Sequence, residues 1–397
     1  MTQVRLREIS EAPGTHALII GVGNYKYLRG GPEEYDSAVH MGLSVLRSPP
    51  ISAMEIAHWI LKKEGDVYTG LSNPRAPLTT VEILVTSVQR EEIIVDGNTH
   101  IIENASLPNV RVGFDRWLEE IKRNDDSVGV IYFCGHGIKG GGSDLLLLLD
   151  DHGAIINRPF ETGSFNISST IRALQRQVKS QLYIFIDACS TFSRELANRI
   201  GGTPAGALLE ESESTMVVNR GMTKVVSSTD GQPAYGDSNG ISRFTDAFLR
   251  AFNGFCGVVL PPGMNRWQIN GFALTQAIPK LLNDINKERG GGAQACTCFI
   301  SGGEDLPLHI TAQVPKVKLE IALTPEALQI RSSYSIVDLG PSGAPILTGG
   351  LTAGVWQREV SRGIYSVLIS SLDHQLYDSG AQHLEPPNYL LPVVVDI

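Results

Sequence analysis

Three continuous apolar runs, at residues 16–22, 128–133 and 182–186, dominate the hydrophobic pattern of the chain. Each has the length of a β-strand and lacks polar alternation, which is typical of a strand buried on both faces. Apolar residues at helical spacing occupy 114–122, 168–178, 243–252 and 272–286, with Ser168 as a predicted N-cap. This alternation up to about residue 310 predicts an α/β fold with a mostly parallel, doubly wound central sheet flanked by helices.

A change of pattern follows Pro315. Short β-branched stretches, separated by Gly and Pro turns, replace the strand–helix alternation. About 80 residues of this kind predict a small C-terminal all-β domain, which we interpret as an antiparallel β-sandwich. The predicted domains are therefore residues 1–311 and residues 312–397.

Two segments of the first domain carry distinct turn and loop signals. Residues 91–102 hold two β-branched arms around Asp96-Gly97, which predicts a β-hairpin with a two-residue turn. Residues 191–221 are rich in Gly, Ser, Glu and Arg and show little periodicity. We expect a long mobile loop there, and loops of that size are usually functional or disordered.

Composition argues against several classes of function. The formal net charge of −9 disfavours a nucleic-acid binder, which usually shows a basic excess. No apolar run reaches eighteen residues, and the N-terminus lacks a signal-peptide core, so neither membrane association nor export is expected. The five cysteines are an odd and sparse set, which favours free thiols in a reducing cytoplasm.

Patterns that suggest a cofactor or a metal are incomplete. Gly21-Val22-Gly23 lacks the third glycine of a dinucleotide fingerprint, and the glycines at 140–142 are not followed by the Lys-Ser or Lys-Thr of a phosphate-binding loop. Cys296 and Cys298 have no second pair at zinc-ligand spacing. We therefore predict neither a cofactor nor a metal.

Two residues suited to covalent catalysis follow predicted strands. His136 lies in Phe-Cys-Gly-His-Gly and Cys189 in Asp-Ala-Cys-Ser, 53 residues later. A thiolate nucleophile with an imidazole base can perform acyl transfer, and open α/β sheets present their chemistry at the carboxyl ends of strands. A His-to-Cys spacing of about 50 residues is also the one found in caspases. The spacing predicts a cysteine peptidase.

Seven pieces of the sequence, in the right order, resemble caspase-like peptidases, the group that includes caspases, metacaspases and bacterial relatives. They are residues 21–25, 36–38, 135–137, 144–150, 187–189, 227–235 and 244–248. The resemblance implies that Cys189 is the nucleophile and His136 the base and general acid. It also implies an oxyanion hole formed by the N–H groups of Gly137 and Cys189. The family needs no strict carboxylate partner for the histidine, so none is assigned.

Specificity depends on Asp187 in this resemblance. Caspases have Gln two residues before the cysteine, whereas metacaspase-like enzymes have Asp there and cleave after basic residues. A shielded carboxylate attracts a guanidinium and repels an acidic side chain, so we predict cleavage after Arg, or after Lys. Cys134 is expected to line the same pocket, with Asp230 and Asn24 at its rim. Ser190-Thr191-Phe192 departs from the His-Ser-Gly of many metacaspase-like members.

Regulation by cleavage is implied for residues 191–221, where caspase-like zymogens are often cut. Arg194, Arg199 and Arg220 match the predicted specificity and are the candidate cleavage sites. The cut would be made by the protein itself or by an upstream activating protease. Protein or peptide substrates are the expected partners, and bacterial relatives are commonly tied to cell death or antiviral defence.

Two other functions fit the same sequence. One is a catalytically idle interaction module that retains the caspase fold, although the presence of both His136 and Cys189 counts against it. The other is a caspase-like peptidase that cleaves after acidic residues, in which Asp187 would have a structural role.

Overall fold

A computed structural model gives the fold. It describes residues 3–7, 11–35, 42–139, 144–156, 160–188, 205–212, 219–228, 240–260, 266–340, 345–352, 354–371 and 374–394. These residues divide into two compact units: Met1–Leu249 with Asn270–Ile310, and Arg250–Ile269 with Thr311–Ile397. The predicted boundary at residues 311 and 312 stays a prediction.

The strands of the first half of the chain are β1 Gln3–Arg5, β2 Thr15–Val22, β3 Lys63–Glu64, β4 Val67–Tyr68, β5 Leu78–Thr86, β6 Glu92–Val95, β7 Asn98–Ile101, β8 Val128–Gly135, β9 Gly137–Lys139, β10 Leu145–Leu148, β11 Ser164–Asn166 and β12 Gln181–Ala188. Those of the second half are β13 Gly221–Val226, β14 Val258–Val259, β15 Trp267–Ile269, β16 Thr297–Gly302, β17 His309–Thr311, β18 Lys316–Thr324, β19 Ser332–Asp338, β20 Pro345–Gly350, β21 Trp356–Ser361, β22 Gly363–Ser371, β23 His374–Asp378, β24 Gln382–Leu384 and β25 Asn388–Val394. The α-helices are α1 Ser48–Ile60, α2 Leu107–Lys122, α3 Ile167–Gln177, α4 Arg243–Arg250 and α5 Gly271–Arg289. A short π-helix covers Ala251–Phe255 and a 3-10 helix covers Glu326–Arg331.

A seven-stranded sheet in the order β1-β5-β2-β8-β12-β13-β16 forms the centre of the first unit. The four inner pairings, from β5 to β13, are parallel, and the outer strands β1 and β16 are antiparallel to their neighbours. Every residue of β2, β8 and β12 is buried, as the continuous apolar runs predicted. The mostly parallel central sheet is therefore confirmed.

Helices cover both faces of this sheet. Apolar residues of α2 and α3 join one buried cluster with Ile184, Ile186 and Ala188 of β12. On the opposite face, Phe248 of α4 contacts the rings of Phe185 in β12 and Trp59 in α1. Successive side chains of a strand point to opposite faces, so neighbouring residues of β12 pack against the α2 and α3 layer and the α1 and α4 layer in turn.

Two helix starts differ from the predicted ones. Helix α2 begins at Leu107 rather than near residue 114, with proline in its first turn, where the missing N–H costs no helical bond. Helix α3 is capped by Asn166 rather than Ser168, because the Asn166 side chain accepts a hydrogen bond from the N–H of Ser169. A sequence pattern shows that a helix is present more reliably than it shows at which residue the helix begins.

Two sheets share one core in the second unit. One has the order β21-β18-β25, and the other has the order β20-β19-β22-β23 with β24 paired to β22. Apolar residues from both sheets join a single buried cluster, which agrees with the expected all-β region. The expectation of a purely antiparallel sandwich was wrong, because β18 and β25 run parallel. Strand direction depends on which distant segments pair, and the local apolar pattern does not encode it.

Candidate active site

The ends of β8 and β12 place the neighbours of the two predicted catalytic residues side by side. These strands pair in parallel, with Gly135 opposite Ala188 and Cys134 opposite Asp187. His136 follows Gly135 directly, and Cys189 follows Ala188 directly in the sequence. Cys189 itself lies outside the described residues. The sheet register thus aligns the two motifs at one carboxyl edge.

His136 is held by contacts at its backbone and at its ring. Its main-chain N–H donates to the hydroxyl of Tyr25 over 2.7 Å, and its Nε2 lies 2.7 Å from the carbonyl oxygen of Ser44. A carbonyl can only accept, so this contact assigns the proton of the neutral imidazole to Nε2. The other ring nitrogen, Nδ1, then carries the lone pair that a base needs.

Burial also favours the neutral form of His136. It lowers the pKa of the imidazole, and the hydrogen bond to the Ser44 carbonyl opposes this effect only in part. A neutral imidazole can accept a proton from a thiol, whereas an imidazolium cannot.

Tyr25 and Gly135 fit each other closely. Tyr25 is fully buried, and its ring centroid lies 5.0 Å from that of His136. A Cβ atom on Gly135 would lie only 2.8 Å from the Tyr25 hydroxyl oxygen, so a larger residue would disturb the anchor of His136. Asn24 is adjacent to Tyr25 in sequence, but its described hydrogen bonds are to the carbonyl oxygens of Thr86, the last residue of β5, and of Ser87.

The N–H of Gly137 is left outside the ladder between β9 and β10. The N–H of Leu148 donates to the carbonyl of His136, and Gly137 lies opposite Leu147. Hydrogen-bonded and non-hydrogen-bonded pairs alternate along an antiparallel ladder, so Gly137 occupies a non-hydrogen-bonded position. Its N–H therefore points away from β10, as an oxyanion donor requires.

Asp187 lies on the α1 and α4 side of the sheet, among neutral donors. Its Oδ2 accepts from the thiol of Cys134 over 3.3 Å and from the hydroxyl of Thr245 over 3.2 Å, and it also contacts the hydroxyl of Ser242. Ser242 additionally caps α4, since its oxygen accepts from the N–H of Thr245. Burial raises the pKa of the Asp187 carboxyl, and the hydroxyl and thiol donors offset only part of the rise.

No group of three or more His, Cys, Asp and Glu side chains suited to a metal occurs in the part of the chain that the structure describes. Over those same residues, no helix has the length and apolar character required to cross a membrane.

Comparison with known families agrees with this arrangement. The family model for the caspase domain matches residues 15–286 of the chain. The chain belongs to the caspase-domain family. The matched range contains β2 to β13 and both predicted catalytic residues, which confirms the caspase-like fold and makes a cysteine peptidase the expected enzyme class.

This caspase-domain protein is also similar to a bacterial relative and to a solved structure. It is 30% identical over 275 residues to the uncharacterized protein y4kE of Sinorhizobium fredii strain NGR234, covering 66% of this chain and 75% of that protein. It also aligns with the crystal structure of protein GSU0716 from Geobacter sulfurreducens at a TM-score of 0.43 and 14% identity, over 74% of this chain and 95% of that chain.

The contacts of Ser44 and Tyr25 with His136 were not predicted from the sequence. Ser44 contributes only its carbonyl oxygen, which every residue type has, so no side-chain signal could identify it. Tyr25 lies in the matching segment 21–25, but its contact with His136 joins residues 111 positions apart, which no local pattern indicates. Both residues lie between β2 and α1, and only the tertiary structure shows that this segment contacts His136.

Candidate residues after β12 fall into two groups. Cys189, Arg194, Arg199 and Asp230 lie outside the described residues. Arg220 precedes β13, where its guanidinium pairs with Asp126 and, over 3.6 Å, with Glu304. Its N–H also donates to the carbonyl of Lys179.

Proposed function

We propose that this caspase-domain protein is a cysteine endopeptidase in which Cys189 is the nucleophile and His136 the base and general acid. One observation supports the proposal most directly. The paired strands β8 and β12 end side by side at Gly135 and Ala188, and His136, which follows Gly135, donates its Nε2–H to the carbonyl of Ser44. That arrangement leaves Nδ1 of His136 as the basic atom at the edge where the cysteine motif begins.

The proposed reaction follows from these groups. Nδ1 of His136 takes the thiol proton of Cys189, and the thiolate attacks the scissile carbonyl carbon. The resulting oxyanion is stabilised by the N–H of Gly137, which the β9–β10 ladder leaves unused, together with that of Cys189. His136 then protonates the leaving amine, and water hydrolyses the acyl-enzyme after His136 removes its proton.

Asp187 supports cleavage after arginine, or after lysine. Its described hydrogen-bond partners are neutral hydroxyl and thiol groups, so they stabilise the carboxylate without cancelling its charge. A guanidinium bound there would supply the missing positive charge through charge-assisted hydrogen bonds. We assign Cys134 to the same pocket and keep Asp230 and Asn24 as its proposed rim.

Processing between β12 and β13 is part of the proposal. Among the three candidate sites, Arg194 and Arg199 are favoured over Arg220. A protease must accommodate its substrate in an extended, accessible conformation, whereas Arg220 is engaged by Asp126, Glu304 and the carbonyl of Lys179. Mass spectrometry of purified wild-type protein and of Cys189→Ala would identify the cut, and a first cut at Arg220 would contradict this order.

Fluorogenic peptides that end in Arg, Lys or Asp test the proposed activity. We expect wild-type protein to release the fluorophore from Arg peptides, and from Lys peptides more slowly. Cys189→Ala and His136→Ala should each lower kcat by a factor of at least about a thousand, because nucleophile and base act as a unit. Hydrolysis of none of the peptides would favour an idle interaction module, and hydrolysis after Asp alone would assign Asp187 a structural role.

We place this activity in the cytoplasm, because the four described cysteines, Cys134, Cys256, Cys296 and Cys298, are free thiols. A role in bacterial cell death or antiviral defence is the corresponding cellular proposal. Survival of phage-challenged cells that express wild-type protein or Cys189→Ala tests it, and equal survival would contradict it.

A further inference from the structure

A cavity of about 130 Å³ lies beside the proposed catalytic edge, on the α2 and α3 face of the central sheet. Its apolar wall includes Ile186 of β12 and Val226 of β13. Ser228, also in the wall, donates a hydrogen bond to the carbonyl of Ala188 over 2.9 Å. One hydrogen bond thus connects the cavity wall to Ala188, the residue that precedes Cys189.

The described lining of this cavity carries positive charge and no carboxylate. Lys224 and Lys139 contribute ammonium groups, and Ser168 and Thr297 contribute hydroxyls, whereas the proton of the Ser228 hydroxyl is already donated to the Ala188 carbonyl. The first turn of α3, at Ile167 and Ser168, also lines the cavity, and the N-terminus of a helix carries positive partial charge. These features together favour an anion.

Among these groups, Lys224 is the best candidate to contact an anion. It occupies the middle of β13 opposite Ile184 and Phe299, and its Nζ lies 5.5 Å from the centroid of the Phe299 ring. Among the described residues, no carboxylate lies within salt-bridge distance of Lys224. Burial lowers the pKa of its ammonium group, since the charged form loses water there. An anion in the cavity would compensate that loss.

The position of the cavity indicates which part of a substrate reaches it. Asp187 faces the α1 and α4 side of the sheet, whereas Ile186 faces the α2 and α3 side and lines the cavity. If the side chain before the scissile bond binds at Asp187, the chain after that bond continues toward the opposite face. The cavity lies on that opposite face, next to the edge from which this part of the substrate would continue.

We propose that this cavity selects an acidic side chain at the first or second position after the scissile bond, with Lys224 as the main specificity-determining residue. The inference rests on the proposed function, since it extends the substrate class of the same site to a basic residue followed closely by an acidic one. The chain contains such a sequence at Arg194-Glu195, whereas Arg199 and Arg220 are followed by Ile200 and Gly221. Arg194 is then the preferred processing site.

Internally quenched peptides that differ only after the arginine test the proposal. Each peptide carries glutamate, glutamine or lysine at the first or the second position after Arg. We expect wild-type protein to prefer glutamate over glutamine by about tenfold in kcat/KM at one of these positions, which corresponds to about 1.4 kcal/mol. Equal rates for all three residues at both positions would overturn the inference.

Lys224→Met identifies the residue responsible, because methionine retains most of the apolar stem without the charge. The preference for glutamate should fall to about twofold or less, while hydrolysis of an Arg–coumarin substrate, which has no residue after the bond, stays at the wild-type rate. Lys280→Met, at an exposed position of α5, is the matched control and should retain the preference.

The coumarin substrate separates the two proposals. If it is not hydrolysed by wild-type protein, the peptidase proposal itself fails. If it is hydrolysed but the glutamate preference is absent, or survives in Lys224→Met, only the assignment of Lys224 and its cavity fails.

Discussion

At the scale of single residues, the proposed active site depends on a small number of directed hydrogen bonds. The Ser44 carbonyl fixes the tautomer of His136, and the Tyr25 hydroxyl fixes its backbone. Neither group reacts in the proposed mechanism, yet both determine where the reacting nitrogen lies. Such positioning residues should affect turnover more than substrate binding.

Tyr25→Phe tests this positioning role. Removal of the hydroxyl leaves the N–H of His136 without its acceptor, which should destabilise the protein by about 1–3 kcal/mol. We expect kcat to fall by about tenfold with little change in KM, because misplacement of the base weakens the reaction rather than binding. Steady-state kinetics and urea unfolding measure both effects.

Tyr377→Phe, in the second unit, is the control for loss of a tyrosine hydroxyl and should leave kinetics unchanged. A Tyr25→Phe protein with normal kcat would show that the His136 backbone needs no such anchor.

Asp187 predicts a pH-dependent preference for arginine. Its raised pKa means that the carboxyl gains a proton at a higher pH than an ordinary Asp, near 3.8. The preference for arginine over its neutral isostere citrulline should therefore require the ionised carboxylate and decline on acidification. We expect this ratio of kcat/KM values to fall with an apparent pKa above 3.8. Because both substrates need the same catalytic residues, the ratio isolates the pocket.

Asp187→Asn should abolish the preference at all pH values and lower kcat/KM for arginine peptides by at least about tenfold, since hydrogen bonds to charged groups contribute about 1.5–3 kcal/mol. Asp115→Asn, at an exposed position of α2, is the matched control. A preference that persists in Asp187→Asn would assign the pocket to another carboxylate.

At the scale of secondary-structure elements, local sequence was most informative where few residues decide the conformation. The hairpin of β6 and β7 has Asp96 at φ 49° and Gly97 at φ 77°, as a two-residue Asp-Gly turn requires. The buried strands β2, β8 and β12 were equally evident, because a strand covered on both faces must be apolar throughout. The helix starts were less evident, since several residues near each start could serve as the cap.

Gly97→Ala tests the turn. The left-handed conformation disfavours a side chain, so we expect a loss of stability of about 1 kcal/mol in urea unfolding. Gly303→Ala is the control, because Gly303 has no positive φ and a Cβ there would meet open space. Equal stability of the two variants would contradict the prediction.

At the scale of the whole molecule, Arg250–Ile269 belongs to the same compact unit as the C-terminal β region, although residues 270–310 separate them in sequence. Within this unit, Lys316 Nζ lies 6.0 Å from the Phe255 ring centroid, and a Cβ on Gly257 would lie 2.9 Å from Pro315. Because the strand–helix alternation continues to about residue 310, the sequence pattern gave no sign of this assignment.

A chain that ends at residue 311 should therefore be less stable than the full protein, because Arg250–Ile269 loses the rest of its unit. We expect its melting temperature to fall by several degrees and its binding of a hydrophobic dye to increase. A chain ending at residue 394 is the control, since it lacks only three terminal residues. Equal melting temperatures for the chains ending at 311 and 394 would contradict the grouping.

The sequence by itself determined the fold class and the two catalytic candidates, because buried strands, turns and reactive residue types leave local signals. The motifs around His136 and Cys189, with their spacing of 53 residues, were enough to suggest their chemistry. Tertiary structure alone decided the register of β8 with β12, the carbonyl that orients His136 and the lysine-lined cavity beside the proposed catalytic edge. These features arise where segments distant in sequence come into contact. The contacts depend on backbone groups and on which face of the sheet a residue occupies, and neither is encoded in the sequence of one segment alone.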